Sequence, residues 1–208
     1  VLVISPTREL AEQTHKAFEM FGKAACYRSM SVFGGVSTKS QIKTLKTRLP
    51  EILVACPGRL LDLMGQRVVD LSGIEILVLD EADQMFDMGF LPSIKKIIAS
   101  LPREHQTLLF SATLPQEIRA LAKQFQKDPT RIEIGASKPA ETVSHFISPV
   151  SQGDKYEALR SVLGGIEEGQ TLIFTRTKHR AKKLALQLTN AGFNSTSLQG
   201  NLSQGQRE

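Results

Sequence analysis

Short apolar runs alternate along the chain with longer segments in which apolar residues recur at helical spacing. The runs are rich in β-branched residues and have the length of strands. Strands are predicted at residues 1–5, 28–33, 52–55, 76–79, 107–110 and 131–134. Helices are predicted at residues 9–23, 40–49, 91–101 and 116–126. Near-continuous apolar strands separated by amphipathic helices predict an α/β fold with a parallel sheet covered on both faces.

The same alternation resumes after residues 135–142, a small, polar, proline-containing stretch (GASKPAET) typical of a linker. Beyond it, strands are predicted at 145–150, 171–175 and 195–198, and helices at 155–163 and 178–191. We therefore expect two domains, residues 1–137 and residues 138–208, of which the second holds only the first part of another α/β unit.

The composition excludes several classes of protein. Hydrophobic residues make up 41% and charged residues 23% of the 208 residues, which is ordinary for a globular protein and wrong for a disordered one. No apolar run approaches the roughly 20 residues of a membrane span. Cys26 and Cys56 form no C-x-x-C pair, which argues against a zinc site or a disulfide framework. A reducing, cytoplasmic compartment is therefore expected.

The net charge of +5 is unevenly distributed. Residues 1–50 carry eight basic and three acidic side chains, whereas residues 51–100 carry four basic and eight acidic ones. A basic segment suits a polyanionic partner such as nucleic acid. Solvated helix faces are the alternative, and charge alone favours them.

Polar residues and glycines directly follow the predicted strands. In an open parallel sheet, ligands bind at the carboxyl ends of the strands. The segments at these ends are SPTR at 5–8, GG at 34–35, CPGR at 56–59, DEAD at 80–83, SAT at 111–113 and, in the second unit, TRTK at 175–178. Packing does not require such residues at so many strand ends, so we expect a functional site there.

The acidic segment has the chemistry of a nucleotide site. Asp80 ends an apolar strand, the Walker-B arrangement in which a carboxylate holds Mg²⁺ beside phosphates. Glu81 can accept a proton from an attacking water. Asp83 is placed to reach the hydroxyls of Ser111 and Thr113 on the next strand end. An acidic helix amino terminus is the alternative, but three carboxylates in four residues followed by Ser-x-Thr favour the nucleotide site.

The basic segments have the chemistry of a phosphate site. Arg8 and Arg59 can form charge-assisted hydrogen bonds with phosphate oxygens, and Gly34, Gly35 and Gly58 let backbone N–H groups approach an anion closely. Contacts of this kind carry little sequence information. They can instead sense the A-form shape and the 2′-hydroxyls of RNA. Salt bridges to neighbouring carboxylates are the alternative for both arginines.

The order of these segments resembles that of the DEAD-box ATP-dependent RNA helicases. PTRELAEQ at 6–13, GG, PGR, DEAD and SAT occur in that family's order, and LIFTRTK at 172–178 and Q-x-x-R at 204–207 resemble its motifs IV and IVa. The resemblance covers essentially the whole chain. GGVSTKSQ at 34–41, DMGFLPSIKKI at 87–97 and FTRTKHRA at 174–181 are most similar to the bacterial RhlE-type subgroup.

This resemblance implies tandem RecA-like parallel sheets and an enzyme that couples ATP hydrolysis to local unwinding of RNA duplexes. ATP and Mg²⁺ would be its cofactors, and RNA its sequence-independent partner. Asp80 would hold Mg²⁺ through water, and Glu81 would orient or deprotonate the hydrolytic water. Asp83 with Ser111 and Thr113 would couple nucleotide state to domain closure.

The resemblance also implies a set of RNA contacts. They would come from Thr7, Arg8, Gly35, Gly58 and Arg59 in the first domain and from Thr177, Gly200, Gln204 and Arg207 in the second. Cys56 stands where the family pattern usually has Thr. Because a thiol is a poor substitute for a hydroxyl donor, one RNA contact is expected to be weakened.

The 208 residues contain no G-x-x-x-x-G-K-[ST] segment, the phosphate-binding loop that this family carries before PTRELA. Motifs V and VI would follow residue 208. We therefore expect a piece of a longer helicase, with the first domain lacking its P-loop part and the second truncated. Phosphoryl transfer needs the phosphate cradle, so the isolated 208 residues are predicted to be inactive as an ATPase. A catalytically inactive RNA-binding module and a related ATPase acting on DNA are the alternatives.

Overall fold

The computed structural model describes residues 1–134, 143–202 and 204–207. It divides into two compact units, Val1–Thr130 and Arg131–Glu208. The predicted linker at 135–142 and the predicted domain boundary between residues 137 and 138 lie outside the described residues.

A five-stranded parallel sheet forms the centre of the first unit. Its strands are β1 (Leu2–Ile4), β2 (Ser29–Val32), β3 (Ile52–Ala55), β4 (Ile76–Leu79) and β5 (Gln106–Leu109), in the order β2-β3-β1-β4-β5. Every neighbouring pair is parallel. The central strand β1 is buried on both faces and contains only apolar residues. The predicted parallel α/β fold is confirmed.

Six helices connect or follow these strands in the first unit. They are α1 (Arg8–Gly22), α2 (Thr38–Arg48), α3 (Pro57–Gly65), α4 (Ala82–Asp87), α5 (Leu91–Ile98) and α6 (Gln116–Phe125), with a 3-10 turn at Lys23–Ala25. Thr7 caps α1, since its Oγ1 accepts a hydrogen bond from Leu10 N at 3.3 Å. Pro57 begins α3, where its fixed φ suits the first helical position.

The alternation of side chains along each strand divides the core between the two faces of the sheet. One face packs against α3 and α5 through Leu2, Ile4, Leu53, Leu77, Leu79, Leu60, Leu63, Ile94 and Ile97. The other face packs Val3, Ile52 and Val54 against Ala11 of α1, with Cys56 at its end. The polar segments begin at the carboxyl ends of these strands.

The predicted strand at 131–134 is not formed. These residues are irregular in the structure, and Ile132 and Ile134 are exposed. Their β-branched residues match a strand pattern, but a strand requires a hydrogen-bonded neighbour, and none pairs with this segment among the described residues.

The second unit contains α7 (Lys155–Gly164), α8 (Lys178–Asn190) and α9 (Gln204–Arg207). The first two correspond to the predicted helices. Segments 145–150, 171–175 and 195–198, predicted as strands, form no ladder in the described part of this unit. Among its described residues only Leu188 is buried, and Phe146 and Phe174 are exposed. These segments carry apolar residues, but none has a hydrogen-bonded partner strand among the described residues.

No helix of the described residues is both long and apolar enough to cross a membrane.

Candidate functional site

A sharp turn at the end of β4 presents the acidic segment. Asp80 N still continues the sheet by donating to Ile4 O at 3.0 Å. Glu81 then adopts a left-handed conformation, with φ 52° and ψ 53°, and α4 begins at the next residue. That conformation is uncommon for a residue with a side chain and is typical of functional turns. Ala82 N donates to Phe110 O at 3.0 Å, so the turn also joins the end of β4 to the end of β5.

The Asp80 carboxyl lies in a partly desolvated position. Burial raises its pKa above the usual 3.8, and a hydrogen bond from the backbone of Glu81 offsets part of this effect. The described residues contain no group of three or more His, Cys, Asp or Glu side chains able to hold a metal ion. Mg²⁺ at nucleotide sites needs only one or two carboxylates with water and phosphate oxygens, so the single Asp80 carboxylate fits that ion.

Asp83, Ser111 and Thr113 form one hydrogen-bonded group. Asp83 Oδ2 accepts hydrogen bonds from Thr113 N at 2.9 Å and from Thr113 Oγ1 at 2.7 Å. Ser111 Oγ accepts from Asp83 N at 3.1 Å and donates to Thr113 O at 2.6 Å. Burial alone would raise the pKa of Asp83, but hydrogen bonds from Thr113, Gln84 and Ser111 lower it below its usual value. The three residues grouped by the sequence therefore meet in the folded chain.

Arg8 and Gly35 lie in contact at the ends of β1 and β2. Gly35 has φ 82°, and a Cβ built on it would overlap Nη1 of Arg8. The guanidinium of Arg8 therefore lies directly against the backbone of this turn. Arg8 is half-buried, and within the described residues its side chain takes part in no hydrogen bond or ion pair. A Cβ on Gly34 or Gly58 would meet nothing within 4 Å, so these backbones are open to close approach.

Arg59 at the start of α3 has a different environment. Its Nη1 donates to Gln41 Oε1 at 2.6 Å and its Nη2 to Val36 O at 3.3 Å. Its Nε lies 3.8 Å from Asp62 Oδ2, and its side chain is 11% exposed. The salt bridge considered as the alternative from the sequence is thus present for Arg59.

Sequence reasoning missed Gln41. Its side chain is buried, and its Nε2 donates to Phe33 O at 3.3 Å while its Oε1 accepts from Arg59. The sequence offers one indication of its role, which is the position of this amide near the start of the helix that follows Gly34-Gly35. Because glutamine is usually solvated on helices, only burial identifies it.

Cys56 is the N-cap residue of α3 but makes no side-chain cap hydrogen bond. Its side chain lies in the core layer with Val54, and desolvation raises the pKa of the thiol to about 11. The charge of Glu9 adds to this increase, and that of Arg8 opposes it. In this structure the thiol is a buried apolar group rather than a ligand-facing donor.

Some of the RNA-binding residues predicted in the second unit lie close together in the structure. Thr177 caps α8, since its Oγ1 accepts from Arg180 N at 3.2 Å. Lys178 Nζ donates to Asn201 Oδ1 at 3.0 Å, a contact that sequence reasoning missed. Thr177, Lys178 and Gly200 line one cavity of this unit. Gln204 and Arg207 lie on α9.

The chain belongs to the DEAD/DEAH box helicase family, whose match covers residues 1–121. Residues 1–121 include the ends of all five strands and therefore the whole acidic and basic edge of the first unit.

Curated relatives match over nearly the whole chain. The DEAD-box ATP-dependent RNA helicase CshA of Streptococcus pneumoniae TIGR4 is 40% identical over 207 residues, which are 99% of this chain and 39% of that protein. DEAD-box ATP-dependent RNA helicase 30 of Oryza sativa subsp. japonica is 38% identical over 211 residues, covering 100% of this chain and 32% of that protein. The chain thus spans about a third to two fifths of the length of these relatives.

A solved structure supports the fold. The crystal structure of a DEAD box protein from the hyperthermophile Methanococcus jannaschii matches 99% of this chain and 55% of its own, with a TM-score of 0.61 and 34% sequence identity. The parallel sheet with its helices is therefore the α/β architecture of a DEAD box protein.

Proposed function

We propose that this protein acts as an ATP-dependent RNA helicase that couples ATP hydrolysis to local unwinding or remodelling of RNA duplexes. The observation that carries the proposal is the hydrogen-bonded group of Asp83, Ser111 and Thr113, which joins the strand end bearing Asp80 and Glu81 to the neighbouring strand end. The names of the curated relatives, which are ATP-dependent RNA helicases, support the same activity.

At the acidic end, Asp80 would hold Mg²⁺, through water, beside the phosphates of ATP. The bound ion would neutralise charge on the phosphates of ATP. Glu81 follows in the left-handed turn, where its carboxylate orients the attacking water and accepts its proton. The hydrogen bonds among Asp83, Ser111 and Thr113 hold α4 against the end of β5. A shift of the Asp80–Glu81 turn on nucleotide binding or hydrolysis would therefore move the ends of both β4 and β5.

At the basic end, RNA binds through its phosphates and sugars. The proposed contacts in the first unit are Thr7, Arg8, Gly35, Gly58 and Arg59, and those in the second unit are Thr177, Gly200, Gln204 and Arg207. The open backbones at Gly34 and Gly58 and the contact of the Arg8 guanidinium with the backbone of Gly35 support this assignment. Binding of this kind does not depend on base sequence.

The test is ATP hydrolysis by the product of the intact reading frame that encodes these residues. We expect hydrolysis that RNA stimulates and DNA does not, and that Glu81→Gln abolishes while RNA binding remains. Asp87→Asn, an exposed carboxyl on α4, is the matched control and leaves hydrolysis unchanged. Stimulation by DNA instead of RNA would favour the ATPase acting on DNA, and RNA binding without hydrolysis would favour the RNA-binding module.

The same ATPase assay on the isolated 208 residues is a second test. They contain Asp80 and Glu81 but no P-loop sequence, so we expect no RNA-stimulated ATPase activity above background. A rate above background that Glu81→Gln removes would contradict this expectation.

Three finer assignments belong to the same proposal. Residues 1–137 form a RecA-like ATP-binding domain, and residues 138–208 contain the linker and the start of the helicase C-terminal domain. The segments at 34–41, 87–97 and 174–181 favour the RhlE-type subgroup, which a phylogeny of the intact sequence would test. The cysteines Cys26 and Cys56, both unpaired thiols, suit a cytoplasmic protein, and fractionation of cells would test this location.

A further inference from the structure

Ser5 directly follows the central strand of the first unit and carries a buried hydroxyl without a partner. The residue is 0% exposed, and its Oγ forms no hydrogen bond with any of the described residues. Its backbone is satisfied by the sheet, since Ser5 N donates to Ala55 O at 3.0 Å. Burying a hydroxyl without a hydrogen bond costs free energy, and such groups in native proteins often have a functional role. The Ser5 hydroxyl is therefore available for a further bond.

The register of the sheet places Ser5 between Cys56 and Asp80. Strand β1 lies between β3 and β4, and the last residues of all three strands are level with one another. The next residue along each chain segment is Cys56, Ser5 or Asp80, and Asp80 N continues the ladder by donating to Ile4 O at 3.0 Å. Because neighbouring strands lie about 4.8 Å apart, Ser5 and Asp80 are adjacent across β1 and β4.

The side chains of Ser5 and Asp80 belong to the same face of the sheet. Successive side chains along a strand alternate between the two faces. Val3 and Val78 pack in the layer that faces α1, and Ser5 and Asp80 follow them by two positions. Cys56 is part of the same layer. The Ser5 hydroxyl therefore has the Asp80 carboxylate as its neighbour on one side and the Cys56 thiol on the other.

Of these two neighbours, the Asp80 carboxylate is the stronger hydrogen-bond acceptor. It receives a hydrogen bond from the backbone of Glu81 and none from a side chain of the described residues. An ionised carboxylate can accept about four hydrogen bonds, whereas a thiol is a weak acceptor. A change of χ1 between staggered rotamers moves a serine hydroxyl without moving the backbone. Ser5 can thus bond to Asp80 with no rearrangement of the sheet.

We propose that Ser5 is a positioning residue for Asp80, and that its hydroxyl donates to the Asp80 carboxylate when nucleotide and Mg²⁺ bind. The inference rests on the proposed ATP-dependent function. Ser5 touches neither the nucleotide nor the metal ion. Its bond fixes the orientation of the carboxylate, as partners behind metal-binding side chains do in other proteins.

The first measurement is urea unfolding of the product of the intact reading frame without nucleotide. Ser5→Ala removes the hydroxyl and leaves an apolar group in an apolar layer. Because the hydroxyl has no partner in this state, we expect Ser5→Ala to unfold at a higher urea concentration than the unaltered protein. A residue with a purely structural hydrogen bond would give the opposite shift.

The second measurement is the Mg²⁺ concentration that half-saturates the fluorescence change of mant-labelled AMPPNP, an ATP analogue that is not hydrolysed. Loss of a partner behind a metal-binding side chain weakens metal affinity by roughly tenfold or more. We therefore expect Ser5→Ala to raise the half-saturating Mg²⁺ concentration by roughly tenfold. In the Asp80→Asn background the same substitution should have no further effect, because Ser5 acts through Asp80.

Ser29→Ala is the matched control. Ser29 is also a buried serine of this sheet, but its Oγ lies 2.8 Å from His15 Nδ1 and donates to His15 O at 3.4 Å. We expect Ser29→Ala to unfold at a lower urea concentration and to leave the Mg²⁺ dependence unchanged. Ser5→Cys, with a side chain of similar shape and a weak donor, should repeat the Mg²⁺ effect of Ser5→Ala.

Three results would overturn the inference. They are a lower urea midpoint for Ser5→Ala, an unchanged Mg²⁺ dependence in both Ser5→Ala and Ser5→Cys, and a full effect of Ser5→Ala in the Asp80→Asn background. Each would leave nucleotide binding itself in place. Failure of the unaltered protein to bind the labelled analogue at any Mg²⁺ concentration would instead contradict the proposed function.

Discussion

Individual side chains at the strand ends depart from what their residue types suggest. Cys56 stands at a helix cap, and its thiol is nonetheless buried with a pKa raised to about 11. Asp80 is an acidic residue whose pKa is raised, whereas that of Asp83, three residues on, is lowered. The difference follows from environment, since Asp83 receives several hydrogen bonds and Asp80 is affected mainly by burial.

Alkylation should distinguish the two cysteines. The thiolate is the reactive form, and at neutral pH almost none forms at Cys56, whereas Cys26 is exposed. We expect iodoacetamide at pH 7 to modify Cys26 rapidly and Cys56 only after denaturation. Peptide mass spectrometry measures both sites in one sample. Comparable rates at the two sites in the native protein would show that Cys56 is accessible.

Replacing the thiol by a hydroxyl should stabilise α3. Thr7 and Thr177 each accept a hydrogen bond from a backbone N–H three residues on, whereas Cys56 does not. We expect Cys56→Thr to raise the free energy of unfolding by about 0.5–1 kcal/mol, measured by urea denaturation. Cys56→Ala, which also removes the thiol but provides no acceptor, is the control and should show no gain.

Neutralising Asp80 should stabilise the fold in a pH-dependent way. The folded-state pKa is raised above the unfolded value, so the carboxylate opposes folding at neutral pH, and this penalty disappears once both states are protonated. We expect Asp80→Asn to raise the free energy of unfolding at pH 7, as measured by thermal denaturation. The gain should be less than about 1 kcal/mol, because the group is partly solvated. The gain should vanish near pH 3. Asp87→Asn is the exposed control, and an equal gain there would contradict burial as the cause.

The elements of the first unit are arranged so that turns, rather than helices or strands, form the site. The turn after β2 requires a left-handed residue at Gly35, and the turn after β4 has one at Glu81. Parallel pairing of all five strands brings these turns to one edge of the sheet. Short hydrogen-bonded bridges, such as Asp83 to Thr113 and Gln41 to Arg59, then hold neighbouring turns together.

Gly35→Ala should test the turn after β2. A side chain at φ 82° costs roughly 1–2 kcal/mol, and its Cβ would also displace the guanidinium of Arg8. We expect lower stability by that amount together with weaker RNA binding. Gly73→Ala is the control, since a Cβ there meets nothing and no left-handed φ is required. Normal RNA binding by Gly35→Ala would contradict a role of the contact between Arg8 and this turn in the proposed RNA binding.

At the scale of the whole chain, the two units differ in their cores. The first unit buries apolar side chains on both faces of its sheet. In the described part of the second unit Leu188 is the one buried residue, and α7 contains none. Local stability follows the number of buried apolar contacts, so the two units should open with different free energies.

Hydrogen exchange of the 208-residue chain should reveal this difference. We expect the amides of β1, β3 and β4 to exchange slowest and those of α7 to exchange at least about tenfold faster, because opening free energies range from near zero to the global value. Pulse labelling with mass spectrometry measures both. Equal protection of β1 and α7 would show that the second unit has a core of its own.

The sequence predicted most of the fold because the evidence for it is local. Apolar runs such as residues 52–55 and 76–79 are strands at the predicted positions, since four consecutive apolar residues, mostly β-branched or leucine, suit a strand in a covered parallel sheet. Residues 131–134 (RIEI) and 171–175 (TLIFT) also contain residues typical of strands but form none. Pairing depends on neighbours that a local pattern does not contain.

The sequence alone determined the chemistry of the strand ends, because the motifs place Asp80, Glu81, Asp83, Ser111 and Thr113 directly after apolar strands. Only the tertiary structure decided which side chains meet. It brought Asp83 to Thr113 across 30 positions and Gln41 to Arg59 across 18. It also buried Cys56 and placed the guanidinium of Arg8 against the backbone of Gly35. Residue type and spacing define what a side chain can do, whereas burial and partners depend on contacts between segments distant in the chain.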